Sequence, residues 1–287
     1  MSTIEEIAAQ QRAYWNGEGG EPWIRTQEER DRSLAPIGAP AQAALALQPG
    51  QRVLDIGCGC GGTAFELAAA VGPGGHVLGL DISEPMLALA EQRRRALGLA
   101  HVRFSAADAT TAEFPGAPFD AVYSRFGVMF FAAPVAAFRN IRAAMAPGAA
   151  LAFVAWRSVD ENPWVNLARQ VVLRHVPPPP QADPDAPGQF AFADAARVRR
   201  ILSEAGFADI VLRPHDLPFT VTEASDMPTA LKAVTTRGPS GRLLADSGDE
   251  AVARVQAELA PLLEPHLGPG GLSLGSAIWV VTARAPS

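Results

Sequence analysis

Apolar residues in this chain fall into short blocks whose period changes several times. Residues 1–48 show helical but irregular spacing, punctuated by Tyr14, Trp15 and Trp23. At Arg52-Val53-Leu54-Asp55-Ile56 the spacing gives way to a nearly continuous apolar run that ends in glycines, which predicts a buried strand. Thr63 to Val71 returns to helical spacing and stops at Gly72-Pro73-Gly74-Gly75. His76 to Asp81 is a second strand. Ser83 stands at the N-cap position of a helix running to Leu97, with Glu84 and Pro85 in its first turn. Val102-Arg103-Phe104 predicts a third strand leading to Asp108, and Phe119 to Ser124 a fourth. A helix follows from Pro134 to Met145, closed by Pro147-Gly148, and then a fifth strand from Leu151 to Trp156.

Strand and helix alternate at roughly 25-residue intervals from 52 to 156. That rhythm predicts an α/β fold: a doubly wound, mostly parallel sheet with helices on both faces. The strands are apolar almost throughout, as strands covered on both faces must be. Beyond Trp156 the rhythm breaks. Asn162 to His175 reads as a helix, followed by Pro177 to Pro180 and a loop to Gly188. Ala195 to Ala205 is a helix stopped by Gly206, Asp209 to Thr220 a sixth strand and Leu272 to Ala283 the last. Blocks 157–192 and 224–268 are too long for ordinary connections and read as helical cap insertions over one sheet edge. The resulting segments are 1–48, a core of 49–156, the first cap 157–192, core again at 193–223, the second cap 224–268, and a final core strand in 269–287.

Composition narrows the function classes. The 287 residues are 48% hydrophobic and 19% charged, with a formal net charge of -6, which fits a folded globular chain. No basic stretch is dense enough to track a phosphate backbone, so nucleic acid is not the expected partner. Arg93-Arg94-Arg95 reads as a solvated helix face. No apolar run is long enough to span a membrane, and the first residues lack the basic and apolar regions of a secretory signal. The two cysteines, Cys58 and Cys60, share one glycine-rich loop. They are too close for an ordinary disulfide and lack a second pair to complete a zinc site. A reduced, cytoplasmic protein with no metal is expected.

The loop itself is the most informative stretch. Asp55-Ile56-Gly57-Cys58-Gly59-Cys60-Gly61-Gly62 follows a strand and satisfies G-x-G-x-x-G through Gly57, Gly59 and Gly62. Asp81 ends the next strand, 19 residues beyond Gly62, where a carboxylate can accept both hydroxyls of a ribose. A nucleoside cofactor is therefore expected, and two chemistries compete: a nicotinamide or flavin dinucleotide, or S-adenosylmethionine. Asp55 separates them. A carboxylate two residues before the first glycine repels a pyrophosphate, but it suits an ammonium and a sulfonium. Asp108 ends the third strand and can accept from an adenine amino group. Three acids at three successive strand ends fit an adenosine with a cationic tail.

At these residues the chain resembles class I S-adenosylmethionine-dependent methyltransferases. Val53 to Gly59 is similar to that family's first motif and Gly79 to Leu87 to its second. Phe119 to Ser124 and Leu151 to Val154 are similar to the later ones. Ser124-Arg125-Phe126-Gly127-Val128-Met129-Phe130-Phe131 resembles the branch related to quinone-biosynthesis enzymes. Cys60, where threonine or serine is common, and Ala149, where a glycine is usual, depart from the pattern without removing a charge. The resemblance implies a seven-stranded Rossmann-like sheet with an antiparallel last strand. It implies cofactor contacts from the loops after strands one to four: Asp55, Gly57, Cys58, Gly59 and Gly61; Asp81, Ile82 and Met86; Ala107, Asp108 and Ala109; and Ser124. It also implies an N-terminal segment that folds over the cofactor as a lid. Tyr14, Trp15 and Trp23 would then lie near the sulfonium, with Arg25 and Gln27 in reach of the methionyl carboxylate.

Methyl transfer is an in-line displacement, and a base is needed only if the acceptor's proton is still on. Candidates to act on the acceptor are Tyr14, Arg125, His175 and His215. The apolar cap segments point to a mostly apolar small molecule, methylated on oxygen or carbon, with nitrogen possible. S-adenosylhomocysteine would be the product. The alternatives are an NAD- or flavin-dependent oxidoreductase and a non-catalytic member of the fold that binds the cofactor. An oligomer is compatible with the sequence, which carries no signature of one.

Overall fold

A computed structural model describes residues 3–179, 183, 186–236, 238–245 and 247–286. Met1 and Ser2 at the start, and Pro180 with most of the loop read after it, lie outside the described residues. The chain divides into two compact units. The first holds Met1–Trp156, Ala186–Pro214 and Trp279–Ser287, and the second holds Arg157–Asp185 and His215–Ile278.

The irregular N-terminal segment is three helices: α1 (Ile4–Asn16), α2 (Glu21–Arg25) and α3 (Gln27–Leu45). Thr3 starts α1 with a reciprocal capping box to Glu6, yet none of the 13 residues of α1 is buried. Then come β1 (Arg52–Ile56), α4 (Gly62–Val71), β2 (His76–Asp81), α5 (Glu84–Ala96), β3 (Val102–Ala106), β4 (Phe119–Arg125), α6 (Pro134–Ala143) and β5 (Met145–Trp156). After these follow α7 (Pro163–Val172), α8 (Ala195–Glu204), β6 (Ala208–Thr222), α9 (Met227–Thr236), α10 (Gly238–Leu244), α11 (Asp249–Leu263), β7 (Leu267–Gly268) and β8 (Gly271–Arg284).

The expected doubly wound α/β fold is present. The strand order is β3-β2-β1-β4-β5-β8-β6, with the two-residue β7 paired to β8. β1 is parallel to both β2 and β4. The chain therefore winds outward from β1 in two directions, which creates a switch point between the ends of β1 and β4. β8 runs against β5: the Gly148 amide donates to Ala285, and the Arg157 amide to Ala277. Two elements differ from the sequence reading. α6 ends at Ala143, and Met145 already pairs with Phe119, because that methionine is buried against β4. Pro147-Gly148, read as the stop of the helix, lies inside β5, with Gly148 at φ 75°.

The first unit is cored by large side chains with essentially no exposure, among them Leu54, Phe119, Phe138, Phe153 and Phe192. Phe138 meets Phe131, Phe153, Phe192 and Phe207, with ring centroids 5.5–6.2 Å away. The second unit has its own core of Val171, Val172, Ala230, Val255, Leu259, Leu263 and Leu272. Among the described residues no helix is long and apolar enough to cross a membrane.

Candidate functional site

The glycine loop turns between β1 and α4 on three left-handed glycines, Gly57, Gly59 and Gly61 at φ 70°, 52° and 87°. Gly57 must be glycine for a second reason. A Cβ there would lie 2.6 Å from the Cα of Gly127, so the loops after β1 and β4 touch backbone to backbone. Ser124 ties the same two loops together. Its hydroxyl donates to the Ile56 carbonyl at 2.7 Å and accepts from the Gly127 amide at 3.2 Å. Phe126 makes the turn between them at φ 65°, a strained conformation for a bulky residue, and its ring stacks on Trp156 at 4.2 Å.

Beside this switch point the first unit has a cleft with about 930 Å³ of empty space, part of it open to solvent. Gly57 and Gly59 form its floor, with Ile56 and Leu80. Asp81, Ile82 and Met86 line one side, and Ala107, Asp108 and Ala109 another. Arg125, Phe126 and Gly127 enter from β4, Phe130 and Phe131 from the segment after it. Ala8, Gln11, Arg12 and Trp15 project from one face of α1 at helical spacing, joined by Trp23.

Asp81 is held firmly. Its Oδ2 accepts from the Gly59 amide at 2.8 Å and its Oδ1 from the Ser83 amide at 2.9 Å. Burial raises its carboxyl above the usual carboxylate range, and those amides oppose the rise. Asp108 accepts from the Thr110 amide at 2.8 Å through Oδ1. The N-terminal helix is fastened to the turn after β2. The Asn16 amide donates to Ile82 O at 2.9 Å, the Glu84 amide donates back to Asn16 at 3.0 Å, and Ser83 donates to Trp15 O at 2.8 Å. Trp15 packs edge-on to Phe130 at 4.9 Å and to Trp23 at 6.4 Å, while the Arg30 guanidinium covers Trp23 at 4.2 Å.

Of the residues singled out in the sequence, Trp23, Gly57, Gly59, Asp81, Ile82, Met86, Ala107, Asp108, Ala109 and Arg125 line this one cleft. Asp55, Cys58, Gly61 and Ser124 stand behind the lining. Asp55 has no exposure; its Oδ2 accepts from the Thr63 hydroxyl, and its Oδ1 is buried without a partner. Burial pushes its carboxyl up to about 7, against the pull of Thr63 and Arg125. The Cys58 thiol is raised well above its ordinary value by burial, then by Asp81 and Asp55. Burial and Asp31 push Cys60 up to about 12, so neither cysteine is a thiolate nucleophile. The Tyr14 ring packs against Gly19 and Trp15 instead of lining the cleft. His175 pairs with Glu258 at 2.7 Å in the second unit, and His215 is exposed on β6.

The arginine triplet on α5 corrects its sequence reading. Arg95 alone is strongly solvated, its side chain 74% exposed; Arg94 pairs with Glu91, and Arg93 bridges Asp31 of α3 and the Cys60 carbonyl. Trp15 and Phe126, weighed with their neighbours in the sequence, also line the cleft, whereas Gln11, Arg12 and Phe130 were not singled out. The spacing of 8, 11, 12 and 15 on one helix face was the available signal.

Residues 53–148 match a family described as a methyltransferase domain. That span holds the glycine loop, Asp81, Asp108 and Arg125. The chain is 30% identical over 166 residues to phosphoethanolamine N-methyltransferase 1 of Arabidopsis thaliana, an alignment covering 58% of this chain and 30% of that protein. It is 32% identical over 152 residues to the 2-phytyl-1,4-naphtoquinone methyltransferase of Synechococcus elongatus, covering 53% and 65%. Among solved structures it is similar to phosphoethanolamine N-methyltransferase 2 of Haemonchus contortus, in complex with phosphomonomethylethanolamine and S-adenosylhomocysteine. That likeness has a TM-score of 0.53 at 21% identity and covers 88% of this chain and 53% of that one. The chain thus spans about a third of the plant relative's length and about half of the Haemonchus chain. α1 and α2, whose side chains line the cleft, precede the matched residues.

Proposed function

We propose that this chain transfers a methyl group from S-adenosylmethionine to a small molecule. The observation that carries the reading is the convergence of Asp81, Asp108 and the bare backbone of Gly57 and Gly59 on one cleft, with Asp55 buried behind the loop. The residues fit the cofactor. Each Asp81 oxygen accepts one amide hydrogen and keeps a lone pair for a ribose hydroxyl. Asp108, which lines the cleft between Ala107 and Ala109, would accept from an adenine amino group through Oδ2. The unpartnered Oδ1 of Asp55, part-ionised near neutral pH, adds negative potential below the loop that favours an ammonium over a pyrophosphate.

S-adenosylmethionine, when bound, supplies an electrophilic methyl group that passes in line to the acceptor as its bonding electrons return to sulfur. The chain's own work is to bind, orient and exclude water. Trp15, Trp23, Phe126, Phe130 and Phe131 give the cleft aromatic walls that shed water and tolerate a sulfonium. Arg125 is the one proposed catalytic candidate among the lining residues. The relatives named above act, by their names, on phosphoethanolamine and on a phytylated naphthoquinone. For this chain we favour a mostly apolar small acceptor, methylated on oxygen or carbon, because the walls are predominantly apolar. A cytoplasmic setting completes the reading, supported by two free, buried cysteines.

The test is calorimetric titration with S-adenosylmethionine and S-adenosylhomocysteine, repeated on Asp81→Ala. Micromolar binding, weakened about a hundredfold in the variant by loss of two charge-assisted hydrogen bonds, is expected. No binding of either ligand to the unaltered chain refutes the proposal. Binding without turnover on any phenol, quinone or amine acceptor assigns the chain to a non-catalytic role instead.

A further inference from the structure

The crossover that carries Asp108 has no helix of its own. α4 leads from β1 to β2, α5 from β2 to β3 and α6 from β4 to β5, but residues 107–118, between β3 and β4, run through turns alone. Asp108 sits at the head of one such turn. Its carbonyl accepts from the Thr111 and Ala112 amides at 3.1 and 2.8 Å, and its Oδ1 from the Thr110 amide at 2.8 Å. A turn built on local bonds opens at low cost, and by itself it is a soft support for a ligand contact.

α6 supplies the missing support. Asn140 donates both hydrogens of its side-chain amide into the turn, to the Ala109 carbonyl at 3.0 Å and to the Ala112 carbonyl at 2.9 Å. Ala109 and Ala112 are buried, so leaving those carbonyls unpaired is costly. Among the described residues, no other hydrogen bond reaches 109–112 from outside the turn. Asn140 is itself well anchored, because its neighbours Ala137, Phe138 and Ile141 on α6 have no exposure. On the other side of Asp108, the Ala107 amide donates to the Asp81 carbonyl at 3.0 Å. Asp108 is thus held between two fixed points, one at the end of β2 and one on α6. Ala107, Asp108 and Ala109 line the cleft, and Asn140 stands behind them.

We propose that Asn140 is the positioning residue for the base end of the cofactor site. By clamping 109–112 it holds the Asp108 carboxylate where it takes a 6-aminopurine nucleoside in preference to a 6-oxopurine one. This role rests on the proposed function for the identity of the nucleoside. A carboxylate accepts from the amino group of adenine, whereas hypoxanthine sets a carbonyl oxygen at the same place. That selectivity depends on the distance and direction of one hydrogen bond, so it is lost when the turn opens, although the carboxylate is still present.

Calorimetric titration of the full chain with S-adenosylhomocysteine and with S-inosylhomocysteine reads the selectivity as a ratio of affinities. The unaltered chain is expected to prefer the adenosyl ligand at least about 30-fold. In Asn140→Ala the preference should fall to within about threefold, as it should in Asp108→Ala. Adding N140A to D108A should change the ratio no further, a non-additivity that a merely structural role for Asn140 would not produce. Asn140→Ser, too short to reach both carbonyls, replaces N140A if that variant does not fold. A folded N140A or N140S that keeps the full preference overturns the inference, and so does an unaltered chain that binds both ligands equally. If the unaltered chain binds neither ligand, the proposed function falls. Amide exchange in the ligand-free chain then decides the role of Asn140. The Thr110, Thr111 and Ala112 amides should exchange at least about tenfold faster in N140A, and unchanged exchange there overturns the clamp as well.

Discussion

Asn16→Ala should loosen the N-terminal helix without touching the core. No residue of α1 is fully buried, so its partly buried face, with Trp15 against Phe130, is supplemented by polar bonds. Its attachment to the turn after β2 rests on Asn16, which donates to Ile82 O at 2.9 Å and accepts from the Glu84 amide at 3.0 Å, and on the Ser83 bond to Trp15. Removing two hydrogen bonds of about 1 kcal/mol each costs about 2 kcal/mol, or about 30-fold in the equilibrium between docked and undocked helix. Amide hydrogen exchange, resolved by segment, is the assay. Exchange across 5–15 should accelerate about 30-fold, while amides in β1, β4 and β5 keep their protection. A ligand that binds only the docked form adds about 2.7 kcal/mol at 100 times its Kd, so saturating S-adenosylmethionine should suppress the difference. Unchanged exchange in α1 would refute the reasoning. So would equal acceleration in the sheet, which would make α1 part of one cooperative unit with it.

Two further substitutions test the loop. Gly57→Ala puts a side chain at φ 70° and against the Gly127 Cα, so stability should fall by at least about 2 kcal/mol and cofactor binding should vanish. Urea unfolding with midpoints near those of the unaltered chain would contradict the backbone contact. Asp55 supplies a pH signature: its carboxyl is raised in the folded chain from 3.8 to about 7. Between those values the folded state keeps a proton that the unfolded state releases, so this group's contribution is full below about 4 and lost as pH rises through 7. The loss is about 4 kcal/mol for roughly three pH units. Asp55→Asn should flatten the fall in stability from pH 5 to pH 8 in the ligand-free protein, and parallel profiles would sink the assignment.

The sheet was legible because buried parallel strands must be apolar on both faces, and helices must alternate with them. Val53-Leu54 and Val77-Leu78 therefore announce themselves without any tertiary information. Asp81 and Asp108 were legible for a related reason: a carboxylate ending an otherwise apolar strand is costly unless something uses it. The boundary at Met145 was misplaced because its burial against β4 is a tertiary fact that overrides the Pro147-Gly148 break. Arg93 was read as solvated because its partner, Asp31, lies 62 residues away on another helix. Ser124 carried the right location with a different job, since its hydroxyl is consumed by Ile56 and Gly127.

Asp55 and Asp31 show where such reading stops. Both are acids beside the same glycine loop, but only Asp55 is adjacent to it in sequence, so only Asp55 could be weighed against a pyrophosphate. In the folded chain Asp55 is fully buried, and its raised carboxyl weakens its charge near neutral pH. Asp31 is paired with Arg93 and set over the first turn of α4. The argument that separated two cofactor classes from one carboxylate therefore needs the second. An acid that burial holds half-protonated near pH 7 repels phosphate weakly by itself. Asp31, held by Arg93 and Arg125, is a second carboxylate beside the same loop. The discrimination was legible in kind from Asp55. Asp31 belongs to the three-helix N-terminal segment, the part of the chain whose pattern was least regular, and its pairing with Arg93 is invisible without the fold.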